Sequence, residues 1–351
     1  MGSRWRGRRK IILMSSTSTN SDLIRWPGEV PVFQNATTAP AADSAPADIK
    51  PDLKSAIDSW CTGGIRANRH GCPDLIGQLE RACSVAVDTI LCSALDDEPD
   101  LRLNAAITAG NYPLVVAAVK QLGKLTGAKR MWIAVEGGAP AAWDGALRES
   151  AKVAGVTIVE LPNDYPQADP TLLLYTLTNR RLRPADLPVE RGVVLLDAPA
   201  AVAIARGRMG TVPVAALDHR SHEAVYMEAP TGTRLADALP KTMGMSGSLF
   251  LGGDWRRDRR LSPDYAMDGR ELAIHVMPRR QSVNSQPCVR CGWCAHVCPT
   301  GVAPALVLEA AQRADKVMAS AAGAAACIEC GLCDQVCPSN LPLLGALREI
   351  R

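Results

Sequence analysis

Two runs of cysteine near the end of the chain carry the chemistry. The first reads Cys288-Val-Arg-Cys291-Gly-Trp-Cys294-Ala-His-Val-Cys298-Pro299, the second Cys327-Ile-Glu-Cys330-Gly-Leu-Cys333-Asp-Gln-Val-Cys337-Pro338. Both follow C-x2-C-x2-C-x3-C-P, the spacing with which a chain holds two [4Fe–4S] clusters. Three thiolates this close together wrap one face of a cubane, and the fourth lies a helical turn further on. In this arrangement the fourth cysteine of each run crosses to the other cluster. The expected ligand sets are therefore Cys288, Cys291, Cys294 and Cys337 for one cluster, and Cys327, Cys330, Cys333 and Cys298 for the other. Gly292 and Gly331 leave each loop free to take backbone angles closed to other residues. Four cysteines also suit zinc, but a zinc site has no need of the third cysteine or of the Cys-Pro step. A disulfide framework would require an oxidising compartment, and nothing marks the chain as secreted.

The elements that must position these cysteines occupy a chain of 351 residues, long enough for two or three domains. Its apolar fraction of 47 % allows a sizeable core. The net charge of +3 singles out no nucleic-acid partner, and none is expected. No apolar run approaches the roughly eighteen residues of a membrane span, so membrane association is expected only through partner subunits. The basic stretch Arg4 to Lys10 precedes just four apolar residues with no cleavage site, so no signal peptide is expected there. The expected home is the cytoplasm, where thiols stay reduced. Residues 1–48, rich in Ser, Thr, Ala and Pro, read as a disordered tail.

From residue 49 to 210 helices and strands alternate. Helices are expected at Lys54–Trp60, Leu75–Cys83, Leu103–Leu125 (broken near Gly110 and Pro113), Ala141–Val153, Thr171–Leu177 and Ala200–Arg206. Strands are expected at Val85–Cys92, Arg130–Glu136, Val156–Leu161 and Gly192–Asp197. The alternation implies a Rossmann-like, mostly parallel sheet with helices on both faces. Residues 211–282 turn to short strands, at Val212–Leu217, Glu223–Met227 and Ser248–Gly253, with a helix at Leu235–Leu239. That texture fits a small β-grasp unit. Residues 283–351 form the two-cluster part, with one alanine-rich helix expected between the motifs, over Pro304–Ala322.

In this order the modules resemble the C subunit of Rnf-type ferredoxin–NAD oxidoreductase complexes and the related cobalamin reductases of microcompartments. Besides the cysteines, the likeness rests on Tyr165-Pro166-Gln167, Gly192-Val-Val-Leu-Leu-Asp197, Pro230-Thr-Gly-Thr233 and Cys327-Ile-Glu-Cys330-Gly-Leu-Cys333. It implies a domain like the flavin-binding subunit of respiratory complex I, a β-grasp SLBB domain and a bacterial ferredoxin-type domain. The chain departs from that family at the flavin. Where the family has a glycine-rich loop for the FMN phosphate, this chain reads Ala67-Asn68-Arg69-His70-Gly71-Cys72-Pro73-Asp74. Its second flavin segment corresponds to Ser93-Ala94-Leu95-Asp96-Asp97-Glu98-Pro99. Gly71, Pro73 and Glu98 are what remains of the FMN contacts. Side chains where backbone amides should touch a phosphate oppose tight binding, so FMN is not expected.

Other residues weigh less. Cys61, Cys72, Cys83 and Cys92 follow no metal-ligand template, and Cys83 and Cys92 read as small hydrophobes on apolar faces. His296 is expected at the surface or beside the first cluster, and Trp293 as its shield from water. Arg256, Arg257, Arg259 and Arg260, with Arg279 and Arg280, form a basic patch suited to docking an acidic redox partner: a flavoprotein, flavodoxin or ferredoxin. Three functions remain open: an electron-transfer protein relaying single electrons between a partner reductase and an acceptor, an FMN- and NADH-dependent reductase feeding the clusters, and an assembly protein whose clusters are structural.

Overall fold

The computed structural model describes residues 53–65, 74–96, 101–137, 141–162, 164–184, 186–221, 223–243, 248–253, 255–257, 259–270, 272–278 and 284–351. The tail 1–48, Gly71, Cys72, Pro73, Glu98, Arg279 and Arg280 lie outside these residues.

Helices α1 (Leu53–Thr62) and α2 (Leu75–Ala82) lead into a run of alternating elements: β1 (Thr89–Ser93), α3 (Leu103–Thr126), β2 (Arg130–Glu136), α4 (Ala141–Ala154) and β3 (Thr157–Leu161). Then follow α5 (Pro170–Thr178), β4 (Val193–Asp197) and α6 (Ala198–Arg206). The four strands are parallel and ordered β3-β2-β1-β4. β1 and β4 are buried along their whole length, which is why they read as unbroken apolar runs. Period-two alternation sorts their side chains. Ile90, Cys92, Val194 and Leu196 join one core with residues of α1, α2, α3, α4 and α6. Leu91, Val193 and Leu195 face the other, with Leu173 and Leu174 of α5.

Local chemistry moves some boundaries. β1 begins at Thr89 rather than Val85 because its partners begin level with it, at Arg130 and Val193. α3 runs through Pro113 as one element, but Asn111 leaves helical geometry at φ −132°, a kink explained by the missing proline N–H. Asp88, at the foot of β1, accepts from Arg180 Nη1 at 3.0 Å and from Arg130 Nη2 at 2.8 Å. The Arg180 guanidinium holds its carboxyl well below the usual range.

The second sheet contains β5 (Thr211–Asp218), β6 (Glu223–Pro230), β7 (Ser248–Gly252), β8 (Arg260–Leu261) and β9 (Ala273–Pro278), with the short helix α7 (Leu235–Ala238) after the first hairpin. Its order is β6-β5-β9-β7-β8, with β9 parallel to β5 and the other pairs antiparallel, which is a β-grasp arrangement. Ala215, Leu217 and Ala273 face the first core, while Val212, Val214, Ala216, Ile274 and Val276 close a separate one over Leu235 and Met243.

The C-terminal part is built from α8 (Trp293–Val297), α9 (Pro304–Gln312), α10 (Lys316–Ala321), α11 (Leu332–Gln335) and α12 (Leu343–Ile350). The single helix expected over Pro304–Ala322 is two. Ala314 takes φ 53°, and Asp315 accepts a hydrogen bond from Met318 N at 2.9 Å to start α10 afresh. Among the described residues no helix is long and apolar enough to cross a membrane.

Three substitutions test this packing. Gln78 of α2 is fully buried and grips β4, its Nε2 donating to Leu195 O at 3.0 Å and its Oε1 accepting from Leu195 N at 2.8 Å. Gln78→Ala should lower the unfolding free energy by about 2–4 kcal/mol, measured by denaturant titration, since buried backbone groups lose a partner. At Gly331 a Cβ would come within 2.4 Å of the Arg256 carbonyl oxygen, whereas at Gly292 it would meet open space. Both have positive φ, so Gly292→Ala should cost about 1–2 kcal/mol of backbone strain, and Gly331→Ala clearly more.

Candidate iron–sulfur centre

The two motifs repeat one backbone. Arg290 and Glu329 take φ 55° and 57°, and Gly292 and Gly331 take 78° and 73°. Each glycine precedes a short helix that carries the third cysteine, Cys294 in α8 and Cys333 in α11. The turns aim amides at sulfur. Arg290 N and Glu329 N donate to the Sγ of Cys288 and Cys327 at 3.4 and 3.3 Å. Val302 N and Leu341 N donate to Cys298 and Cys337 at 3.3 and 3.5 Å. Such donors stabilise sulfur carrying negative charge, as in a thiolate bound to iron.

A cavity beside the second motif is lined by Cys327, Cys330 and Cys333 together with Cys298 of the first motif, and walled by Val302, Leu344 and Leu347. Burial pushes the Cys330 thiol up to about 11 and raises those of Cys327 and Cys333. Bare thiolates are thus unfavourable here, and this donor set suits a cationic iron centre that displaces their protons. The cavity and the amides aimed at Cys298 and Cys327 fit a cluster.

The surroundings of the two motifs differ. Cys288 and Cys291 are exposed, whereas Cys327, Cys330 and Cys333 are buried. The Tyr165 hydroxyl donates to Cys330 O at 2.5 Å, and the Arg256 guanidinium lies 4.1 Å over the Tyr165 ring. Arg348 Nη2 donates to Arg257 O at 2.7 Å while its Nε holds Glu329 at 2.8 Å. Arg351 Nη1 donates to Cys327 O at 2.9 Å. Between the motifs, Gln286 N donates to Ser339 O and Ser339 Oγ to Pro287 O.

These contacts take Arg257 out of the expected basic docking patch. Arg257 is 1 % exposed and Arg256 is half-buried against Tyr165 and Gly331, so neither guanidinium is presented at the surface; Arg259 is half-buried and only Arg260 is exposed. Nothing in the sequence marks Arg257 as interior. Tyr165 stands out there only as part of a resemblance, and its contact with Cys330 spans 165 residues. His296 is exposed on α8, at the surface as expected, and Trp293 is 53 % exposed, so the indole stands in water rather than closing over the site. Cys92 is buried, but Cys83 is exposed, against expectation: it falls one residue past α2, where the helix no longer turns it inward.

At the expected flavin edge, Gly71, Pro73 and Glu98 lie outside the described residues. What borders them is acidic. Asp74 caps α2 by accepting from Gly77 N at 3.1 Å. Asp96 accepts from Asn104 N at 2.8 Å at the start of α3, and Asp197 from Ala200 N at 2.8 Å at the start of α6. Ser93 and Asp197 are register partners at the ends of β1 and β4. Helix termini that could hold a phosphate are thus already bonded to carboxylates.

Residues 78–206 match the Nuo51 FMN-binding domain family, and residues 287–342 the 4Fe-4S dicluster domain family. The C subunit of the proton-translocating ferredoxin:NAD(+) oxidoreductase complex of Clostridium ljungdahlii is 24 % identical over 235 residues, covering 63 % of this chain and 50 % of that protein. The C subunit of the Na(+)-translocating ferredoxin:NAD(+) oxidoreductase complex of Acetobacterium woodii is 23 % identical, covering 65 % and 54 %. The cobalamin reductase PduS of Citrobacter freundii is 25 % identical, covering 61 % and 51 %. The chain spans about half the length of these curated relatives. The NAD+-reducing [NiFe]-hydrogenase superposes with a TM-score of 0.54 in its H2-reduced state, at 14 % identity over 85 % of this chain and 60 % of that one. Its air-oxidised state gives 0.53 at 15 % identity, over 78 % and 55 %. At such identities the likeness speaks for the fold alone. With a parallel sheet matching the FMN-binding family and paired cysteine motifs matching the dicluster family, the chain is a homologue of the Rnf-type C subunits and of the PduS cobalamin reductase.

Proposed function

We propose that the chain is an iron–sulfur electron-transfer protein in which Cys288, Cys291, Cys294 and Cys337 hold one [4Fe–4S] cluster and Cys327, Cys330, Cys333 and Cys298 the other. The observation that carries this is the cavity where Cys298 of the first motif stands with three cysteines of the second. When bound, each cluster takes up and gives back one electron. The chain's own part is to bury the second set of sulfurs, aim amides at Cys288, Cys298, Cys327 and Cys337, and hold the motif rigidly through Tyr165 and Arg256. Residues 49–210 and 211–282 serve as the frame for 283–351, and the partner is another redox protein.

Asp74, Asp96 and Asp197 each take an amide at the starts of α2, α3 and α6, which opposes a phosphate at those helix starts; on this reading electrons reach this chain from a partner. A second reading, an FMN- and NADH-dependent reductase akin to PduS, is favoured by the match of residues 78–206 to the FMN-binding domain family.

Anaerobically purified protein should contain about eight iron and eight sulfide per chain and show two interacting reduced clusters by EPR after dithionite. Cys288→Ser and Cys327→Ser should each lose reducible iron; full iron and unchanged spectra in either would refute the ligand sets. Incubation with excess FMN followed by desalting should leave far less than one flavin per chain. Stoichiometric flavin together with NADH-dependent dye reduction would establish the second reading instead.

A further inference from the structure

The near-symmetry of the two motifs allows a position-by-position comparison of what covers each. Ile328 is 5 % exposed, and its counterpart Val289 is 66 % exposed. Leu332 lines the cavity, while its counterpart Trp293 is 53 % exposed. Gly331 is pressed by the Arg256 carbonyl, but nothing lies within 4 Å of a Cβ at Gly292. The first motif therefore presents to water the face that the second buries under Arg256 and Tyr165. Val289 and Trp293 are among the few large apolar side chains this exposed, and they flank Cys291.

The charge at one equivalent position is opposite. Glu329, held by Arg348 and Arg351, is replaced in the first motif by exposed Arg290. Residues 284–300 contain Arg290 and His296 but no Asp or Glu. An apolar centre with a cationic rim around a one-electron site is the complement of an acidic rim around another such site.

We propose that the loop Val289–Trp293 is the docking face for an acidic one-electron carrier protein, so that electrons cross to or from that carrier at the first cluster while the second faces the rest of the chain. This inference rests on the two-cluster reading above, and the experiment separates the two. The probe is a small acidic ferredoxin, chemically reduced and mixed with the oxidised chain by stopped flow at low and high salt. Arg290→Glu keeps the fold within reach, since Glu329 already holds a glutamate at the same backbone angle, and it keeps the backbone donor to Cys288.

Arg290→Glu should slow the bimolecular step about tenfold at low salt, with the difference fading at high salt. Val289→Ser should slow it at both salts, and Arg313→Glu, on the exposed side of the α9 C-terminus, should not change it. Iron content and the dithionite-reduced spectrum should match wild type in all three. An unchanged rate in Arg290→Glu, or no transfer from the ferredoxin to the wild-type chain, overturns the docking face and leaves the cluster reading standing. A wild-type chain that sediments as a dimer, with Val289→Ser a monomer, overturns it in favour of a second copy. Absence of reducible clusters in the wild-type chain removes the cluster reading and this inference together.

Discussion

The second cysteine motif is fastened to the rest of the chain through its backbone. Tyr165 donates to the Cys330 carbonyl, and the Arg256 carbonyl sits where any Cβ at residue 331 would be. Both contacts leave the sulfurs free for iron, and both require the loop to stay in one conformation. Gly331 meets that requirement twice over, through its positive φ and through the missing Cβ. Arg348 continues the same junction, reaching Arg257 O with one nitrogen and Glu329 with another. Three parts distant in sequence thus converge within one turn of the motif, which fixes the site relative to both sheets. Transfer of an electron falls steeply with distance, so a rigid junction here matters more than its energy.

The same backbone in two different surroundings gives two different sites. For clusters of one type, potential follows exposure, charge and hydrogen bonds to sulfur. The N–H···S contacts are nearly matched between the motifs, at 3.3–3.5 Å throughout. What differs is water and charge: the first loop is open and carries an exposed cation, and the second is buried with an internally paired carboxylate. The charge comes from Arg290 and Glu329 within the motifs, and the burial from the Arg256 and Tyr165 contacts over the second.

Features set by local chemistry are legible in the residues. Cluster ligation imposes a spacing, and a strand buried on both faces imposes an unbroken apolar run, so the cysteines and β4 can be read directly. Features set by tertiary context cannot. β9, the central strand of its sheet, carries His275 in its middle, and the histidine breaks the apolar run that would mark a strand; the ring is in fact 2 % exposed and bonded to His219 at 2.8 Å. Alanine content favours a continuous helix over Pro304–Ala322, and the carboxylate of Asp315 overrides it. An arginine pair with further arginines nearby reads as solvated surface, yet Arg257 is interior because its backbone must abut the second motif.

The α/β part matches a family that binds FMN, and its described helix starts meet carboxylates. In a doubly wound sheet the helix termini at the carboxyl ends of the strands are where a phosphate binds, because their amides lack partners. Here α2, α3 and α6 present those amides to Asp74, Asp96 and Asp197. A phosphate ester carries close to two negative charges, and each carboxylate near it would add a repulsion of about 1 kcal/mol per unit charge at 4 Å in water and several-fold more where water is excluded. The carboxylates themselves sit well, each satisfied by a terminus whose dipole favours negative charge. The α/β part also carries Tyr165 to the carbonyl of Cys330. On this reading, what the parallel sheet contributes to electron transfer is position.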